Sequence, residues 1–105
     1  MEYEIREDCL TIYLDGELDH HALRTIALAV EEKIDLLLPK KLVLDMHAVR
    51  FMDSSGIALV IRSLRRMREL SGVLTLRAVP PAPMKIFTMA GISRYVRIEE
   101  GEKAV

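Results

Sequence analysis

The run Leu42-Val43-Leu44, closed by Asp45, constrains this chain more than any other stretch. Successive side chains of a strand point to opposite faces, so three apolar residues in a row need cover on both sides, as in the interior of a parallel sheet. The run lies between two stretches of helical periodicity. Before it, Leu23, Ile26, Ala27, Val30, Ile34 and Leu37 recur three and four residues apart, Glu31, Glu32 and Asp35 lie off that stripe, and Pro39 ends it. After it, Ile57, Val60, Ile61, Leu64 and Met67 form an inward stripe, Arg62, Arg65, Arg66 and Glu69 an outward one, and Ser71-Gly72 closes the helix. A doubly buried strand flanked by amphipathic helices places the chain in the α/β class.

The remaining elements follow from the same periodicities. Tyr3 and Ile5 alternate with charges, Arg6-Glu7-Asp8 is a polar turn, and Leu10, Ile12 and Leu14 alternate with Thr11 and Tyr13, which predicts a hairpin whose second strand ends at Asp15-Gly16. Asp19 is placed to cap the first helix. The residues from His47 to Met52 read as a loop. Leu74, Leu76 and Ala78 predict another strand, and Pro80, Pro81 and Pro83 a loop. Met84 to Ala90 read as a short helix ended by Gly91, and Tyr95, Val96 and Ile98 as a last strand. The polar tail from about Glu99 is expected to fray. The expectation is a single domain, 1–105, with a mixed, mostly parallel sheet of four to five strands and three or four helices packed mainly against one face.

Composition narrows the function. Fifteen Lys and Arg balance sixteen Asp and Glu, for a net charge of −1. That is not the basic excess of a protein whose main partner is nucleic acid. Cys9 is the single cysteine, so no disulfide framework or cysteine-rich zinc site forms, and the cytoplasm is the natural compartment. Cys9 itself reads as a small core hydrophobe. No apolar run approaches the ~20 residues of a membrane helix, and the acidic, alternating start is not a signal peptide. The chain lacks a phosphate-binding Gly-rich loop, a Gly-x-Ser-x-Gly elbow, a Cys-x-x-Cys pair and a His–Glu metal helix. A binding protein without cofactor or metal is therefore expected rather than an enzyme. A nucleotide-binding domain or small enzyme using Asp19, Asp45 and Ser54 is the weaker alternative.

Two segments carry candidate chemistry. The first is Asp53-Ser54-Ser55-Gly56 at a strand–loop–helix corner. Locally it reads as a helix N-cap, because Asp and Ser oxygens accept from the free N–H groups of a first turn. It also reads as a phosphorylation site at Ser54. A phosphate adds about −1.5 to −2 charges, which a helix N-terminus tolerates but an acidic or apolar partner surface does not. The second is Glu17-Leu18-Asp19-His20-His21. Adjacent histidines on a helix point about 100° apart, unlike the i, i+4 pair of a helical zinc site, so a capped helix start with exposed histidines is the simpler reading. Both segments follow strands, which suggests one continuous surface at one edge of the sheet. Leu59 falls off the inward stripe, near Ser55 and Arg62. It reads either as an ordinary exposed leucine or as an apolar spot in a contact surface. Asp45 either caps the loop after its strand or lies near Ser54.

Three stretches, Gly16-Glu17-Leu18-Asp19-His20-His21, Leu42-Val43-Leu44-Asp45 and Phe51-Met52-Asp53-Ser54-Ser55-Gly56-Ile57, resemble in order and separation the anti-sigma factor antagonists of the STAS domain family, in particular its sporulation branch. The resemblance implies a STAS-like fold over nearly the whole chain. It also implies a partner, an anti-sigma factor that is itself a serine kinase with bound nucleotide. Binding releases a sigma factor, phosphorylation of Ser54 ends the interaction, and a metal-dependent serine phosphatase restores it. The matching stretches point to Asp19, His20, His21, Asp53, Ser54, Ser55 and Gly56 as contact residues, and the helix that follows adds Leu59 and Arg62 by their position beside them. A STAS domain serving a different stress-response or transporter assembly is the alternative.

Overall fold

The computed structural model describes residues 1–101. The order of elements is β1 (Glu2–Arg6), β2 (Cys9–Leu18), α1 (Leu23–Leu37), β3 (Lys41–Met52), α2 (Ser55–Glu69), β4 (Val73–Arg77), α3 (Pro81–Met89), a 3-10 turn (Ile92–Arg94) and β5 (Arg97–Glu99). The five strands form one sheet in sequence order, β1-β2-β3-β4-β5. β1 is antiparallel to β2, and every other neighbouring pair is parallel.

Strand alternation divides the sheet into two unlike faces. Leu10, Ile12 and Leu14 of β2, Leu42, Leu44 and Met46 of β3, and Leu74 and Leu76 of β4 form one buried cluster with Ala27, Val30 and Ile34 of α1, Leu59, Val60 and Met67 of α2 and Phe87 of α3. The alternate residues, Thr11, Tyr13, Val43, Asp45, Thr75 and Arg77, belong to the other face, which carries no helix among the described residues. Val43 is nonetheless buried, so the Leu42–Leu44 run is covered on both sides as its sequence requires.

Several boundaries differ from the sequence expectation. β2 does not stop at Asp15-Gly16 but continues to Leu18, and β3 runs through the supposed loop to Met52. Two β-bulges explain this. Tyr13 pairs with Asp45 but Leu18 with Met52, so β3 carries two more residues than β2 over this stretch. Gly16 of β2, beside the second bulge, has φ +71°, which suits a residue without Cβ. Pro81 is not in a loop. It sits in the first turn of α3, where a missing N–H costs nothing, and Pro83 is buried in that same turn. Gly91 ends α3 in the left-handed conformation, as expected. Cys9 points to the helix-free face with Thr11 and Tyr13 and is half-buried there, not part of the helix-side core. At the end of the chain, Glu99 is held, its carbonyl accepting the Ala78 N–H at 3.0 Å. The rest of the supposed frayed tail, 102–105, lies outside the described residues.

The inward face of α2 is the largest correction. Its buried residues are Gly56, Leu59, Val60, Ser63 and Met67, while Ile61 is 43% exposed and Leu59 only 1%. The true stripe includes a glycine and a serine, and apolarity alone misses both. Ser63 is satisfied by donating to the Leu59 carbonyl at 2.9 Å. Leu59 therefore belongs to the core and offers no contact surface.

Candidate functional site

The C-terminal ends of β2 and β3 lie side by side, so the chain leaves both strands at one edge of the sheet. This brings Asp19-His20-His21 beside Asp53-Ser54-Ser55-Gly56, as the sequence suggested. The joint is Asp53. Its N–H donates to the Leu18 carbonyl at 3.4 Å. One carboxylate oxygen accepts the Ser55 N–H at 2.7 Å, and the other accepts the His20 N–H at 3.3 Å. The bonds from Ser55, and secondarily that from His20, hold the Asp53 carboxyl below its ordinary pKa. Asp53 thus stays anionic while it ties two loops far apart in sequence.

Ser54 stands at the N-cap of α2 but does not cap with its side chain. Its backbone is already helical, at φ −62° and ψ −13°, and its hydroxyl makes no capping hydrogen bond. The first free N–H groups are met instead by Asp53, through its carboxylate to Ser55 and its carbonyl to Gly56 at 3.1 Å, and by the Ser54 carbonyl to Ile57 at 3.0 Å. The Ser54 side chain is exposed. Of the two residue types that the sequence offers as the cap, Asp53 does the work, and the exposed Ser54 side chain is left out of it.

Gly56 lets α2 start this close to β3. A Cβ at Gly56 would overlap Met52 Sδ and Cγ, and Met52 is buried in the core. On the other side of the site, Asp19 accepts the Ala22 N–H at 2.9 Å, which caps the turn leading into α1, and regular helix begins at Leu23. His20 and His21 are exposed, with their rings edge to face at 5.4 Å. Among the described residues no three His, Cys, Asp or Glu side chains come together as a metal site would need.

Arg62 is tied to α1. Its guanidinium makes a two-pronged ion pair with Glu31, at 3.0 and 3.1 Å. Arg66 pairs with Asp35 of α1 and with Glu69, and the Asp35 partner raises the Arg66 pKa. Glu69 thus pairs with Arg66, three residues before it on the same helix. The outward stripe that begins at Ser54 continues through Ala58 and Ile61, so Ile61 takes the apolar place first assigned to Leu59. Phe51, 51% exposed and paired in register with Glu17, also lies at this edge. The Phe51-Met52-Asp53 order held that signal, but only a known strand end reveals the exposure.

Asp45 is not near Ser54. It lies on the helix-free face, nearly buried, between His47 on its own strand and Arg77 of β4, whose Nε donates at 2.9 Å. Burial pushes the Asp45 pKa up, but the bonds from His47 and Arg77 outweigh it and leave the carboxyl below its usual value. With Glu4, Arg6 and Tyr13, these three residues line an open concavity of about 720 Å³.

This arrangement, an accessible serine at a helix start joined by its neighbouring aspartate to a histidine-bearing turn, is built on a one-sided five-stranded sheet. The chain belongs to the STAS domain family, whose model matches residues 1–104. It is similar to the anti-sigma F factor antagonists of Paenibacillus polymyxa (26% identical over 102 residues, covering 97% of this chain and 87% of that protein) and Lysinibacillus sphaericus (28% over 101 residues, 96% and 86%). It is also similar to the anti-sigma-B factor antagonist of Listeria monocytogenes (27% over 107 residues, 94% and 90%). Among solved structures it superposes on the anti-sigma factor antagonist SpoIIAA in its unphosphorylated form, with a TM-score of 0.82, 26% identity and coverage of 97% of this chain and 88% of that one. The phosphorylated form of Bacillus SpoIIAA matches with a TM-score of 0.75 at 26% identity, covering 97% and 91%. The chain thus carries the fold of the anti-sigma factor antagonists. No helix among the described residues is long and apolar enough to cross a membrane.

Proposed function

We propose that this domain is a binding switch, not an enzyme. Its unphosphorylated form binds an anti-sigma factor that is also a serine kinase and so releases a sporulation-type sigma factor. Phosphorylation of Ser54 ends the interaction, and a metal-dependent serine phosphatase reverses it. The observation that carries this reading is the Ser54 side chain, exposed and unused by the cap at the start of α2. A phosphate there replaces no internal hydrogen bond, and its charge faces the positive end of the helix dipole. The fold therefore tolerates the modification. A partner surface does not, because the phosphate adds to the charge of Asp53 and lies beside the Asp19-His20-His21 turn. Ser55 and the half-buried Arg62 rim the same contact surface and Ile61 extends it, while Gly56 is buried beneath it and supports the turn by its close approach to Met52. Similarity to a phosphorylated and unphosphorylated SpoIIAA supports the same cycle here.

The test is incubation with the cognate anti-sigma factor and ATP, followed by mass spectrometry. One phosphate on Ser54 is expected, with none on a Ser54→Ala variant. Undiminished incorporation into that variant removes the site assignment. A Ser54→Asp variant that binds the partner as tightly as the parent removes charge as the mechanism. The likeness to the Listeria anti-sigma-B factor antagonist favours a second reading, in which the same switch serves a general stress partner. Binding measured against anti-sigma factors of both kinds separates the two.

A further inference from the structure

β1 is the outermost strand of the sheet and pairs only with β2 among the described residues, which leaves its outer row of backbone N–H and C=O groups without strand partners. All five residues are exposed. Such an edge is a template for another strand, and monomeric proteins usually blunt it with a very short strand, proline, a bulge or charged side chains. β1 has no proline, its register with β2 is continuous, and its charges are of both signs.

The sequence Glu2-Tyr3-Glu4-Ile5-Arg6 is complementary to itself in reverse. In an antiparallel two-fold pairing centred on Glu4, Glu2 faces Arg6 of a second copy and Arg6 faces its Glu2. Tyr3 faces Ile5 in the same way, twice. The two kinds of pair lie on opposite faces. Glu4 and Arg6 line the helix-free concavity, whereas Tyr3 is on the helix side, where Lys33 of α1 stands 4.8 Å from its ring centre. Tyr3 is 42% and Ile5 43% exposed, so both have apolar surface left to bury. We propose that a second copy of this chain pairs along β1, joining two sheets of five strands into one of ten.

One contact opposes the pairing: Glu4 meets Glu4. Each carboxylate already accepts from its own Tyr13 hydroxyl at 3.2 Å and from Arg6 at 3.3 Å, which disperses its charge without removing it. With a small contact area as well, the dimer is a weak, reversible one. The two-fold axis reverses β2 in the second copy, so the two Ser54 ends point in opposite directions and neither is covered. The pairing is therefore independent of the phosphate switch.

Sedimentation equilibrium of the full chain, from roughly ten micromolar to about one millimolar, tests this. The parent is expected to show a reversible monomer–dimer equilibrium. Glu4→Gln tightens it about two- to threefold by relieving the central repulsion, and Arg6→Glu weakens it about tenfold by turning two attractions into repulsions. The double variant Glu2→Arg with Arg6→Glu restores the parent value, because the pairs re-form with exchanged signs. These side chains lie on the surface, and circular dichroism of each variant checks that the fold is kept. A parent that stays monomeric throughout, or a dimer indifferent to both single substitutions, overturns the proposal.

Discussion

Truncation of Leu59 and of Ile61, two residues apart on one helix, should have opposite consequences. Leu59 is 1% exposed and Ile61 is 43% exposed. Leu59→Ala removes a fully buried side chain from the cluster formed by the sheet and helices. Such changes cost about 2–5 kcal/mol, so a loss near 3 kcal/mol is expected. For a domain of this size that lowers Tm by roughly 12–24 °C, at about 4–8 °C per kcal/mol. Ile61→Ala removes a half-exposed side chain and gains a few tenths of a kcal/mol in helix propensity, so its net effect stays within about 1 kcal/mol. Thermal and urea unfolding followed by circular dichroism measure both. The same substitutions invert their order in partner binding: Ile61→Ala should weaken the complex while the fold holds. Leu59→Ala should weaken it only in proportion to the unfolded fraction. If Ile61→Ala costs as much stability as Leu59→Ala, or Leu59→Ala costs less than about 1 kcal/mol, the assignment of faces on α2 is wrong.

Two further outcomes follow from the geometry. The folded-state pKa of Asp45 is depressed, so its stabilising contribution is complete above the unfolded value near ~3.9 and is lost as pH falls through the folded value; urea unfolding from neutral pH to about pH 3 should show the gap between parent and Asp45→Asn narrowing towards acid, and a widening gap contradicts it. Gly56→Ala, which in an unobstructed helix stabilises by up to ~1 kcal/mol, should instead destabilise by about 1–3 kcal/mol because its methyl overlaps buried Met52; a variant of raised Tm argues against that contact.

The parts of this molecule that were legible in the sequence are those set by neighbours along the chain. The β1–β2 hairpin, the α1 stripe, the Leu42–Leu44 strand and the Ser54 turn follow from local alternation and capping chemistry. The later half of β3 was not legible, because Asp45 and His47 break its apolar run. Their reason lies in β4, where Arg77 completes the polar group on the helix-free face. Apolarity alone misplaces the phase of α2, because Gly56 and Ser63 belong to its buried side. Glycine is there for close approach to Met52, and serine is there with its hydroxyl turned back to the helix. The bond from His20 to Asp53 joins segments 33 residues apart, and no local pattern encodes it. The neighbourhood of the two loops was nonetheless legible, because both leave parallel strands at the same end.

The bulges of β3 act as a length gauge for the site. With the register found at Tyr13 and Asp45 continued unchanged, Asp53 would stand opposite His21 rather than Asp19. The two extra residues of β3 bring its carboxylate to the His20 N–H instead. Removing one residue between Met46 and Phe51 would slide the Asp53-Ser54 turn by one position against the histidine turn and reverse the faces of the side chains beyond the cut. Leu42 and Leu44, upstream of the cut, would keep their places. The spacing of the proposed contact surface is thus set separately from the upstream core, and a change in strand length, with no change in any residue of the two turns, would be enough to re-aim it.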